Sequence, residues 1–231
     1  MIKYLVHSPV REIEPNIFSS IEHSIKPTYD RKARLYEFLV GNFFYNKIMW
    51  GTRPKDYIHY AKEVLSTCQG SVVDIGCGGL VQTSSLYAQR PAYTVLADLS
   101  LEMLRIGKHR VLQHRGKLPD HVTFLQADAF RLPFLDCAVD NVVSFGMLHL
   151  VEDKNAFIRE FLRVLKRGGS FHITCLTNDR RLSRPYIRLL QRRNEFAAAM
   201  SSAAVVDLFV AHGCRIQHYT IGSMVFISGI K

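Results

Sequence analysis

Three short apolar runs in this chain of 231 residues carry an aspartate at or beside their carboxyl end, and a glycine cluster follows the first. They are Ser71-Val-Val-Asp74-Ile75, Tyr93-Thr-Val-Leu-Ala-Asp98 and Phe124-Leu-Gln-Ala-Asp128. Each has the length and apolar content of a buried strand, and helical patterns stand between them. The whole region from Ser71 continues in this way, with strands predicted near 71–75, 93–97, 122–126, 139–144, 170–175, 215–221 and 224–230. One predicted helix begins at Ser100 and carries Leu101, Leu104, Val111 and Leu112. Another runs from a cap at Asp153 through Phe157, Ile158, Phe161, Leu162 and Leu165 and stops at Gly168-Gly169. Such alternation implies right-handed crossovers and a largely parallel sheet covered on both faces, an α/β fold whose ligands sit at the carboxyl ends of the strands.

Before Ser71 the pattern changes. It is helical and tyrosine-rich, with a helix signalled by Pro54 and carried by Ile58, Ala61, Val64 and Leu65. The expected organisation is a helical cap segment over residues 1–69 and a cofactor-binding core over 70–231. With 48% hydrophobic and 22% charged residues the chain can bury one sizeable core, which excludes disordered and fibrous classes. No apolar run approaches the roughly 18 residues of a spanning helix, and Met1–Pro9 is too short and interrupted for a signal peptide, so a cytoplasmic protein is expected. Five cysteines (Cys68, Cys77, Cys137, Cys175, Cys214) are odd in number, scattered and never in a CxxC. That pattern suggests reduced thiols rather than a disulfide framework or a metal site. The formal charge of +10 favours anionic partners without selecting one.

The turn Gly76-Cys77-Gly78-Gly79 lets backbone approach a ligand that a side chain would block. It is not a dinucleotide fingerprint, because the sixth position of that pattern is Val81. Asp98 lies 24 residues after Asp74, at the end of the next strand, where a carboxylate accepts both hydroxyls of a ribose. Asp128 closes the third strand, suited to a base amino group. Three acids at three strand ends read as a nucleoside site.

With these residues in place the chain resembles the class I S-adenosylmethionine-dependent methyltransferases, in the small-molecule branch of the ubiquinone and menaquinone C-methyltransferases. The resemblance rests on Val72-Val-Asp-Ile-Gly-Cys-Gly78, Asp98, Asp128-Ala129, Phe145-Gly-Met-Leu-His149 and Leu165-Lys-Arg-Gly-Gly169, in family order and spacing from about residue 70 onward. It implies a Rossmann-like, seven-stranded, mostly parallel sheet with an antiparallel ending, and S-adenosylmethionine as cofactor. By position, Asp74, Gly76, Cys77 and Gly78 would form the loop beside the methionyl moiety, and Asp98 would hold the ribose. Asp128 and the Ala129 backbone would read the adenine, Leu99 and Met103 would wall the purine, and the turn at Ser144 and Phe145 would offer a carbonyl to the cofactor amino group. Gly79 and Arg167 depart from the usual family pattern.

The sulfonium methyl is already activated, so the protein's main task is to align a nucleophile and exclude water. His149 is the candidate base, with a hydrogen-bonded floor residue as its other reading. Tyr29 and Tyr36, two helical turns apart, resemble the YDxxAxxYD element that covers the cofactor, with Glu37 in place of the final acid; they also read as cap packing. Phe43, Phe44, Tyr45 and Trp50 are consistent with an apolar or ring-shaped acceptor. Arg181, Arg184, Arg188 and Arg192 recur at helical spacing beside Leu182, Tyr186, Leu189 and Leu190, as on a helix resting on an anionic membrane, binding an anionic substrate group, or facing solvent. Methylation of RNA or DNA is the alternative enzyme reading. Against it stand the strand end Ser144-Phe-Gly-Met147, which lacks an Asn/Asp-Pro-Pro-aromatic turn, and the absence of an added nucleic-acid-binding module. A cofactor-binding regulatory protein without transfer is the third. Neither the acceptor atom nor the oligomeric state follows from the sequence.

Overall fold

The computed structural model describes Val6, residues 9–21 and residues 41–231; Tyr29 and Tyr36 lie outside the described residues. Among the described residues nine strands form one sheet: β1 (Arg11–Glu14), β2 (Ile17–Ser19), β3 (Val72–Ile75), β4 (Thr94–Asp98), β5 (Val122–Gln126), β6 (Val139–Phe145), β7 (Leu165–Leu176), β8 (Arg215–Ile221) and β9 (Met224–Ile230). Their spatial order is β1-β2-β5-β4-β3-β6-β7-β9-β8. From β2 to β7 every pairing is parallel, while β9 runs antiparallel to both β7 and β8. The chain steps from β3 to one side through β4 and β5, then returns to build β6 and β7 on the other. The resulting switch point between β3 and β6 opens a crevice at the carboxyl ends of the strands.

The sheet is buried on both faces because its central strands are apolar at nearly every position. Val73, Val95, Leu125 and Val142 pack on one face against Phe157 and Phe161 of α4 (Lys154–Val164) and Phe209 of α6 (Ser202–Ala211). Val72, Leu96, Phe124 and Val143 pack on the other against α1 (Pro54–Thr67), α2 (Ser84–Gln89) and α3 (Leu101–Arg115), through Tyr60, Val64, Tyr87, Leu104 and Val111. Each large side chain so buried contributes about 1.5–3 kcal/mol. The expected cap at Asp153 is present, its Oδ1 accepting the Ala156 amide at 2.8 Å, and Ser100 Oγ likewise caps α3 by accepting the Met103 amide at 3.2 Å.

The seven expected strands are all there, and two observations extend or revise the sequence reading. A hairpin, β1–β2, adds two strands to the sheet before Ser71, where the sequence pattern predicts none. Its turn at Pro15-Asn16 places Asn16 at φ +63, and the Asn16 side-chain amide donates to the Val122 carbonyl at 3.0 Å, which ties β2 beside β5. Gly168-Gly169 does not stop α4. The helix ends at Val164 and Leu165 opens β7, whose register against β6 shifts between Val139 and Asn141. The two glycines occupy that irregularity because a Cβ on Gly169 would lie 2.7 Å from the Asp140 carbonyl oxygen.

Candidate functional site

A cavity of about 500 Å³ opens at the carboxyl ends of β3, β4, β5 and β6. Its polar wall begins with the loop after β3. The amides of Gly76 and Cys77 both donate to the Ala97 carbonyl of β4, at 2.8 and 3.0 Å. Gly76 sits at φ +74, and a Cβ there would collide with Met147, so the β6 wall closes directly over this glycine. Gly78, at φ +56, faces open space. Its amide donates to Asp98 Oδ2 at 2.8 Å, while Arg110 from α3 donates to the Gly79 carbonyl. On α3, Gly107 leaves room for the loop: a Cβ would stand 3.1 Å from Leu80 Cγ and 3.3 Å from the Gly78 carbonyl.

Asp98 ends β4 between two loops. Its Oδ2 takes the Gly78 amide, and its Oδ1 takes the Ser100 amide at 2.8 Å. Two amides, one from each flanking loop, thus orient the Asp98 carboxylate at the cavity wall. Leu99 and Met103 line the cavity beside it. Beyond β5, Asp128 and Ala129 line the far end, where Asp128 Oδ1 accepts the Phe130 amide at 2.9 Å and fixes the turn.

Asp74 and Ser144 stand behind the wall rather than on it. Asp74 is 2% exposed; Tyr87 Oη donates to its Oδ2 at 2.7 Å, and Oδ1 has no hydrogen-bond partner among the described residues. Burial raises its pKa to about 7, with the Tyr87 bond opposing and the charge of Asp98 adding to the rise. Ser144 Oγ donates to the Ile75 carbonyl at 2.7 Å, joining β3 to β6 at the switch point. Cys77 does reach the cavity, but burial, then Asp98 and Asp74, hold its pKa well above the ordinary thiol value, so it stays protonated.

The opposite wall is apolar. Phe145 lines it, stacked edge-on against Tyr57 and Tyr60 at 5.7 and 6.0 Å, and its carbonyl accepts Tyr57 Oη at 3.2 Å. Met147, Leu150 and Val151 continue the surface. Tyr57, on α1, is not among the residues expected from the sequence, although its place one turn into a helix that starts at Pro54 is a usable signal. Glu152 also lines the cavity, and no motif in the sequence marks it.

His149 is not on this wall. It lies in a short 3₁₀ turn, Leu148–Leu150, with its ring 5.0 Å from that of Phe196, and the Leu176 amide donates to its Nδ1 at 3.4 Å. Burial, aided by the nearby Lys154, depresses its pKa to about 3. Arg181 lies in a turn at Arg181–Ser183, and Arg184, Arg188 and Arg192 lie on α5 (Arg184–Arg192), none of them lining the cavity.

Residues 73–173 match a family model described as a methyltransferase domain. Over that span the chain is similar to class I S-adenosylmethionine-dependent methyltransferases. It is 39% identical over 102 residues to the ubiquinone/menaquinone biosynthesis C-methyltransferase UbiE of Hahella chejuensis, an overlap of 43% of this chain and 40% of that protein. A namesake from Pseudomonas putida GB-1 is 34% identical over 151 residues, which is 64% of this chain and 56% of the relative. The chain therefore spans about half the length of the curated relatives it matches. Among solved structures, a methyltransferase of Thermotoga maritima described as a possible histamine N-methyltransferase superposes with a TM-score of 0.66 at 21% identity, covering 88% of this chain and 97% of its own. The geranyl diphosphate C-methyltransferase of Streptomyces coelicolor, solved with Mg²⁺, geranyl diphosphate and S-adenosyl-L-homocysteine, gives a TM-score of 0.63 at 15% identity over 76% of this chain and 78% of its own. At these identities the structural likeness establishes the methyltransferase fold.

Proposed function

We propose that this chain transfers a methyl group from S-adenosylmethionine to a small apolar or aromatic acceptor of quinone, phenol or lipid type. The observation that carries the reading is the division of one cavity between a polar half, anchored on Asp98 and Asp128, and an apolar half formed by Tyr57, Phe145, Met147, Leu150 and Val151. The polar half fits the cofactor. Gly78 leaves open space where a side chain would intrude, the Asp98 carboxylate is already oriented by two amides, and Asp128 lies at the opposite end of the same cleft. When bound, the cofactor supplies an electrophilic methyl on a sulfonium, which requires alignment and dryness more than acid–base assistance.

The roles proposed for the protein's own groups follow from that requirement. Asp98 accepts the ribose hydroxyls, and Asp128 with the Ala129 backbone meets the base edge. Leu99 and Met103 sandwich the purine. Gly76, Cys77 and Gly78 shape the loop at the methionyl end, with Asp74 behind them. Tyr57 and Phe145 hold a planar or branched acceptor by edge-on packing and keep water from the reacting carbon. His149, neutral and off the cavity wall, supports the wall through Leu176 and Phe196 rather than acting as a base. The C-methylation named for the UbiE relatives and for the geranyl diphosphate enzyme supports carbon as the accepting atom.

The test is calorimetric titration with S-adenosylmethionine and S-adenosylhomocysteine, followed by mass-spectrometric detection of methyl transfer to demethylquinones, phenols and prenyl compounds. Binding of both nucleosides with transfer to one acceptor class is the expected result. Failure to bind either would overturn the assignment, and transfer only to RNA would replace it.

A further inference from the structure

We propose that the surface formed by residues 43–50 and 181–189 docks on an anionic lipid bilayer as a peripheral membrane site. The helical stretch 43–50 packs on the start of α5. Tyr45 and Tyr186 hydroxyls lie 3.0 Å apart, Ser183 Oγ donates to the Met49 carbonyl at 2.6 Å, and Arg180 donates to the Ile48 carbonyl at 2.6 Å. Their inward side chains form a small core of Trp50, Ile187 and Phe196. With those residues inside, the outward positions would be polar on an ordinary solvated surface. They are not: Phe44 is 71% exposed, Ile48 62% and Leu182 72%, with Phe43 and Leu189 also exposed.

Every charged side chain within the two segments is basic. From Arg180 to Asn194 there are six arginines, Arg180 included, and no acid, and residues 43–50 add Lys47, again with no acid. Arg181, Arg184, Arg188, Arg192 and Arg193 take part in no ion pair among the described residues. An apolar group set in a cationic field is the combination that binds an anionic bilayer, because neither a shallow apolar insertion nor a basic cluster alone holds a protein there firmly. Ile48, Leu182 and Leu189 gain nothing from a phosphate backbone, which favours lipid over nucleic acid as the partner. No helix among the described residues is long and apolar enough to cross a membrane, so the contact is with the surface. The docking is independent of what is methylated, although Gly51–Arg53 alone separates this surface from α1, whose Tyr57 lines the cavity.

The full chain is sedimented with vesicles of phosphatidylcholine alone and of phosphatidylcholine with phosphatidylglycerol, at low and high salt. The expected result is pelleting with the anionic vesicles that weakens with salt. Arg181→Gln combined with Arg188→Gln should lower the partition coefficient about thirty-fold, and Phe44→Ser combined with Leu182→Ser at least about ten-fold. Both double variants should keep the wild-type affinity for S-adenosylhomocysteine, which shows that they are folded and separates this result from any failure of the methyltransferase assignment. Equal pelleting with neutral and anionic vesicles, no pelleting, wild-type partition of both variants, or salt-sensitive capture of RNA without vesicle binding would each overturn the proposal.

Discussion

Around the ends of β3, β4 and β5 the cavity wall is fixed by backbone hydrogen bonds, whereas around the end of β6 and along α1 it is built of packed side chains. In the first region Gly76, Cys77 and Gly78 amides are each tied to β4 or to Asp98, and α3 seats the loop through Gly107. In the second, Tyr57, Phe145 and Met147 form the surface, the first two joined by a ring contact and one hydroxyl-to-carbonyl bond. Main-chain geometry is reproduced by any relative with the same loop, while a wall of side chains can change without disturbing the fold. The family match over residues 73–173 includes the glycine loop together with Phe145 and Met147, and leaves out Tyr57.

The comparison can be broken most directly at Gly76. Gly76→Val places a side chain against Met147 at φ +74, and it should abolish measurable donor binding and lower unfolding stability by about 2–4 kcal/mol in urea titrations. Near-normal binding would mean that the backbone half of the wall is more tolerant than described. Asp98→Ala removes a charged acceptor, and calorimetry should read a loss in cofactor affinity of about ten- to a hundred-fold with little change in the affinity for acceptor. A smaller effect comes from pH. The pKa of Asp74 is about 7 when folded and about 3.9 unfolded, so between these values the folded state binds the extra proton. Its contribution to stability is therefore present at low pH, declines as pH rises from about 4 to about 7, and is flat above. Asp74→Asn should remove that declining component from the pH dependence of urea midpoints; an unchanged profile would show that Asp74 is ionised in the fold.

Tyr57→Phe sharpens the comparison from the other side. Deleting one hydroxyl that meets the Phe145 carbonyl should cost about 0.5–1.5 kcal/mol and appear in the acceptor KM, leaving donor affinity intact. The smallest change in turnover is expected for His149→Phe, with kcat within a few-fold of wild type, because the imidazole is buried off the wall. A base contributes about a hundred-fold or more, so a loss of that size would restore His149 to catalysis.

Much of the backbone half is legible in the amino-acid sequence alone, because strand-end acids and glycines sit at fixed offsets from apolar runs that carry their own period. Asp98 and Asp128 line the cavity in keeping with that pattern, and so do Leu99 and Met103, which only the family resemblance placed there. The hairpin β1–β2 is not legible: strands of four and three residues are shorter than the window over which alternation can be detected. Gly168-Gly169 reads as a helix stop because a glycine that ends a helix and one that bends a strand look alike in sequence; only the Asp140 carbonyl distinguishes them. His149 illustrates the same limit for side chains. In a 3₁₀ turn at a strand end, one residue faces the cavity and the next faces the core, and which is which depends on Phe196 and Leu176, remote in sequence.

The loop from Gly76 to Gly79 is held in place by hydrogen bonds to Ala97, Asp98 and Arg110. A site already ordered in this way gains little discrimination from closing around one ligand rather than another. Donor and demethylated product share the nucleoside and amino-acid portions that such a loop meets, so the spent molecule should occupy the cleft about as firmly as the fresh one. The rate of successive turnovers would then be governed by removal of S-adenosylhomocysteine. Progress curves should bend early and straighten when a hydrolase that consumes this product is added to the assay.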